Sequence, residues 1–280
     1  MARPIFRKYS FFILFISQFI CGQISDFKIK EYFPLPERIS ELGLKPTKFS
    51  WSIGNQFILI DEVKNQIMNV NPIGHLSFPS GLSGNSVYGQ FIWAGIIPEG
   101  IGVIDRLENS INYLDLRLNT NSLLSFNQKI YPELAAVNSW GVIHLYSQTY
   151  NSIYTVERSR FNSSPFIDFT KERLSSNCFI DMSLNDDSDL LLLTCNGIAY
   201  VFSLNGKIKT SMPVSINDPK HVIAIGDDWL VFNEDGIALS INTNIKYILP
   251  QSSTPLVDVQ SKNNSIAILS LNQILILDVK

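Results

Sequence analysis

A unit of about forty residues recurs along this 280-residue chain and constrains its fold more than any other feature. Three stretches align without gaps: Ile60-Asp61-Glu62-Val63-Lys64-Asn65-Gln66-Ile67, Ile104-Asp105-Arg106-Leu107-Glu108-Asn109-Ser110-Ile111 and Tyr146-Ser147-Gln148-Thr149-Tyr150-Asn151-Ser152-Ile153. Each has a β-rich run before it and another after it. Shortened copies follow at Asn196-Gly197-Ile198, Asp235-Gly236-Ile237 and Asn272-Gln273-Ile274. Several short strands repeated at this period are the pattern of a propeller blade.

The units read as similar sets of strands. The fourth, for example, runs Phe179 to Leu184, Leu190 to Thr194 and Ile198 to Leu204, and ends at the Asn205-Gly206 turn. Asn-Gly and Asp-Gly pairs supply the positive φ that tight hairpins need. The last unit has three strands before the chain ends at Lys280, one short of a blade. Phe27 to Phe33 alternates apolar and polar residues and belongs to no other unit, so it is expected to complete that blade and close the ring. The expected architecture is all-β: a six-bladed β-propeller, residues 23–280, with blades near 47–86, 87–131, 132–174, 175–215, 216–252, and 253–280 plus 26–34. A β-helix or a β-sandwich is the alternative from the same strand count.

The first residues stand outside that scheme. Arg3, Arg7 and Lys8 precede the apolar run Phe11 to Ile20, too short for a ~20-residue membrane helix but suited to a secretory signal, read here as residues 1–22. A lipid anchor at Cys21 is the sharper alternative, and an N-terminal membrane anchor or a buried first element the plainer one. Export makes a disulfide between Cys178 and Cys195 expected, because a hairpin turning at Asp186-Asp187 sets the two opposite each other. With 45% hydrophobic residues there is material for a core. The net charge of −3 and the lack of a basic stripe argue against nucleic acid as a partner. No later apolar run is long enough for a transmembrane span, and a monomer is expected.

The repeat resembles the NHL-type family of six-bladed propellers. The likeness rests on I-D-x-x-x-N-x-I at Asp61/Asn65 and Asp105/Asn109, with Ser147/Asn151 as a degenerate copy, and on connectors such as Pro79-Ser80-Gly81 and Pro98-Glu99-Gly100. Family hairpins usually carry Asn-Arg-Ile. Here Gln66, Ser110 and Ser152 replace the Arg, so a basic surface built from it is absent. The resemblance implies architecture; family members include scaffolds, RNA-binding modules, peptide-amidating lyases and lactonase-like enzymes.

Asp61, Asn65, Asp105, Asn109 and Asn151 could ligate a cation through oxygen, but turn-making explains them more simply. Hairpins between second and third strands share one face with the blade-to-blade connections. Longer ones in blades one to three are expected to raise an asymmetric rim carrying Glu62, Lys64, Arg106, Glu108, Tyr150 and Tyr154, a candidate partner surface. His75, His144 and His221 show no metal-ligand spacing. Trp51, Trp93, Trp140 and Trp229 read as blade packing, with a sugar-stacking platform as the alternative. Asp181 and Asp258 are acidic exceptions on otherwise apolar inner strands.

Two functions follow. The first is an exported, non-catalytic binding or scaffold propeller with a protein partner and no cofactor. The second is a lactonase-like hydrolase or lyase with a cation, such as calcium, in the central channel. That alternative requires Asp181 and Asp258 to converge with further polar side chains.

Overall fold

The structure is a computed structural model and describes residues 24–79, 89–172, 174 and 178–279. The signal segment, Cys21, Ser80 and Gly81 lie outside the described residues. Six sheets surround a central channel, each built on antiparallel strands laid outward from the channel in chain order, apart from the N-terminal strands added to blades five and six. Their channel-side strands are Lys48–Trp51, Phe91–Ile97, Leu134–Val137, Phe179–Leu184, Pro219–Ile225 and Asp258–Lys262. The second strands are Phe57–Asp61, Gly100–Asp105, Ile143–Ser147, Leu190–Thr194, Asp228–Asn233 and Ser265–Leu269.

Those second strands are covered on both faces, which is why they read as near-continuous apolar runs. All five residues of Leu190–Thr194 are buried. Each of the six hydrophobic clusters is shared by two consecutive blades. Ile58, Ile60 and Ile67 of blade one, for instance, pack with Phe91, Ile101 and Val103 of blade two. The sixth cluster joins Leu269, Ile274 and Ile276 of blade six to Phe49, Phe57 and Leu59 of blade one. Six sealed interfaces for six blades mean that the ring closes on itself. At roughly 1.5–3 kcal/mol per large buried apolar side chain, these contacts are the main favourable term of the fold.

Closure follows the expected three-plus-one scheme. Lys28–Pro34 pairs antiparallel with Gln273–Asp278 and forms the outer strand of blade six. The N-terminal segment differs from expectation in one respect. Ile24–Asp26 leaves that blade and pairs in parallel with Lys246–Ile248, as a fifth strand on blade five. Phe27 sits between the two pairings, buried and stacked on Tyr247 at 4.9 Å between ring centroids. A short helix, Glu37–Glu41, leads into blade one.

Cys178 and Cys195 form the expected disulfide, with Cα atoms 5.5 Å apart. The hairpin between them is built differently from the simple turn at Asp186-Asp187. It turns through Asn185 to Asp189, where the Asn185 side chain accepts the Asp189 N–H. A bulge at Ile180 then takes up the extra residue and brings Phe179 opposite Thr194, leaving the cysteines facing each other. Both cysteines are exposed. No helix among the described residues is long and apolar enough to cross a membrane.

Candidate functional site

One cross-strand position recurs in every blade: the inner-strand partner of the residue just before the motif Asp, or its Ser, Thr or Asn counterpart. These partners are Lys48, Trp93, Leu134, Asp181, His221 and Asp258 in blades one to six. Of this ring, five line one mouth of the channel, and His221 stands beside Asp258 without lining it. Bulges immediately precede Trp93, Asp181 and His221 and re-aim those side chains. The ring is divided: Asp181, His221, Asp258 and Lys48 follow one another around a polar arc, and Trp93 and Leu134 complete it with an apolar one.

The two carboxylates are bonded alike. Asp181 accepts the N–H of Met182 at 2.8 Å and reaches to blade five for the N–H of Val222 at 2.7 Å. Asp258 accepts the N–H of Val259 and, on blade one, that of Phe49, both at 2.8 Å. Each aspartate therefore clips its blade to the next one. His221 Nδ1 stands 3.8 Å from Asp258. Burial pushes the Asp258 carboxyl up to about 7, against the opposing pull of the Lys48 charge. Burial likewise takes Asp181 up to about 6 and His221 down to about 4. The side chain of Lys48 holds no hydrogen-bond or ion-pair partner among the described residues, yet its charge acts on all three of these groups.

The channel encloses about 290 Å³. One pleat below the ring the wall carries small side chains at Ser50, Gly95, Ala136 and Ser183, with the larger Ile223 and Gln260 completing the layer. Gly95 makes room for the indole there: a Cβ would stand 2.1 Å from Cζ2 of Trp93, so the indole lies over the bare glycine backbone. Gly102, its partner on the neighbouring strand, carries the other side of the same bed.

No family model matches the sequence, and no curated protein matches it either. Solved structures do match in fold. Virginiamycin B lyase from Staphylococcus aureus superposes with a TM-score of 0.60 at 13% identity, covering 91% of this chain and 100% of that one. YCF48, solved with a D1 peptide, gives 0.60 at 12% identity over 84% of this chain and 78% of its own. PorZ, a bacterial surface component of the type-IX secretion system of Porphyromonas gingivalis, gives 0.60 at 11% identity over 92% of this chain and 38% of its own. The chain is a six-bladed β-propeller. At these identities the likeness is one of fold.

Within the propeller the motif residues are structural. Asp61 accepts the N–H groups of Lys45 and Lys64, and Asp105 those of Gly89, Gln90 and Glu108. Asn65, Asn109 and Asn151 all adopt positive φ at the turn. Asn65 also accepts the Phe91 N–H of blade two at 2.6 Å, and Asn109 the Tyr131 N–H on the approach to blade three at 3.0 Å. The repeat motif is thus a blade-to-blade tie.

The rim residues divide. Lys64, Glu108 and Tyr150 are exposed, while Glu62 bonds Thr47 and Arg106 pairs with Glu133 at 3.2 Å. Tyr154 is buried, contrary to the rim reading, and takes a hydrogen bond from Gln128 on its hydroxyl. The hairpins of blades one to three are only one residue longer than the others, so hairpin length alone raises no step. Trp140 stands in an exposed turn and packs no blade, unlike buried Trp229. Sequence reading singled out Asp181 and Asp258 but missed Lys48 and His221 as their companions. The signal was present: the six ring residues all fall twelve or thirteen positions before the motif residue.

Proposed function

We propose that this chain is an exported, NHL-like binding propeller that holds a protein partner on its hairpin face. The carrying observation is the tip of the hairpin between second and third strands in consecutive blades. Leu271 of blade six, Val63 of blade one and Leu107 of blade two are 71%, 88% and 58% exposed, and Tyr150 of blade three is 42% exposed. Apolar side chains exposed singly mean little, but four at the tips of the same hairpin in adjoining blades make a row, with Tyr150 one position further along its hairpin than Val63 and Leu107. Lys64 and Glu108 flank the row with charges of both signs. The occupant that suits it is a protein segment with an apolar strip and mixed charge, as interfaces with an apolar centre and a polar rim require. Neighbours in fold include a propeller solved with a peptide and one described as a bacterial surface component. The disulfide fits the oxidising compartment that export implies.

The hydrolase or lyase reading with a channel cation has less behind it. Each channel aspartate already accepts two backbone N–H groups, and the Lys48 ammonium shares their space. Among the described residues no group of three or more His, Cys, Asp or Glu could hold a metal ion. The test of the binding reading is capture of a partner from extract of the source cells by the wild type and by a Val63→Asp/Leu107→Asp double variant with unchanged unfolding temperature. Loss of the captured protein from the variant alone supports the reading; equal capture by both overturns it.

A further inference from the structure

We propose that the channel mouth is a binding site for a neutral carbohydrate ring, separate from the hairpin-tip row and independent of it. The mouth opens into the channel of about 290 Å³, at the small end of ligand pockets, with room for a single ring. Its polar wall offers both kinds of hydrogen bond. After its two backbone bonds, each of Asp181 and Asp258 retains acceptor capacity on both oxygens. Lys48 brings three N–H donors with no partner among the described residues. Above about pH 7, where both acids are ionised, a metal cation entering here meets the Lys48 ammonium, and an anion meets the two carboxylates. A neutral ligand whose hydroxyls both donate and accept satisfies all three at once.

The opposite wall supplies the other half of the recognition. Trp93 lies over Gly95 at the channel wall, and a Cβ on that glycine would collide with the indole. Building glycine beneath a tryptophan leaves an aromatic surface at the cavity with room beside it. The C–H face of a sugar ring packs on such a surface while its hydroxyls point to the carboxylates and ammonium across the channel.

The probe is a panel of free hexoses and N-acetylhexosamines, with glucuronate and glucosamine as charged controls, followed by saturation-transfer NMR on the purified chain. The expected result is saturable binding of at least one neutral sugar, weakened tenfold or more by Lys48→Met and by Trp93→Ala, and unchanged in Val63→Asp/Leu107→Asp. Gly95→Ala displaces the indole without removing it and gives the same loss, which keeps the test open if Trp93→Ala does not fold. Failure of every neutral sugar to bind, preference for either charged control, or binding indifferent to Lys48→Met and Gly95→Ala overturns the proposal.

Discussion

The Asp258 carboxylate of blade six accepts the backbone N–H of Phe49 in blade one at 2.8 Å, across the seam where the ring closes. Asp181 makes the corresponding bond to Val222 between blades four and five. Removing either carboxylate leaves two inner-strand N–H groups without their acceptor. Asp258→Ala and Asp181→Ala are each expected to lower stability by about 1–3 kcal/mol. Urea unfolding at fixed pH measures this, and unchanged midpoints would show that the clips carry no weight.

The same carboxyls give stability a pH signature. In the fold Asp258 and Asp181 keep their protons up to about 7 and about 6, whereas the unfolded chain loses them near 3.8. Their contribution to stability is therefore present at low pH and falls as pH rises through that window. His221 and buried His144 act the other way: both are held neutral down to about 4, so theirs grows between about 4 and 6.5. An Asp181→Asn/Asp258→Asn variant keeps only the histidine part. Its unfolding temperature minus that of the wild type should rise steadily from pH 4 to 7. A flat or falling difference would contradict the assignment of protons at the channel mouth.

Phe27 joins two blades through one buried side chain, between a parallel pairing to blade five and an antiparallel pairing to blade six. Phe27→Ala is expected to cost about 3–5 kcal/mol. Deleting residues up to Pro34 uncovers the edge of Gln273–Asp278 and should also drive self-association, because an unpaired edge recruits other strands. Thermal unfolding and size-exclusion chromatography read the two effects. A monomeric truncated chain of unaltered stability would contradict the closure.

How much of this was legible in the sequence depends on what each feature rests on. The blade count and the three-plus-one closure rest on a repeat with one hairpin motif per blade, and repetition survives local error. The Cys178–Cys195 pairing was legible from the turn signal between the two cysteines, although the Asn185 turn and the bulge at Ile180 offset each other in a way no hairpin rule anticipates. The ring of six was harder to see. Its members share a position but no chemistry, since Lys48, Trp93, Leu134, Asp181, His221 and Asp258 have only their register in common. Trp140 misled because a large aromatic near a strand end packs or protrudes according to the turn geometry, which its residue type does not encode. The tie from Asn65 to Phe91 crosses a connection that local pattern does not span.

The central claim, that one face of the propeller takes a protein partner, is tested most directly by site-specific photo-cross-linking in the source cells. Val63 and Ile73 are both 88% exposed, both in blade one, but at its two opposite ends. A photoreactive residue at position 63 should trap a partner, position 73 should trap none, and Leu107→Asp should abolish the cross-link from 63. Cross-linking from position 73 alone, or a product at 63 that survives Leu107→Asp, would contradict the assignment of the hairpin face.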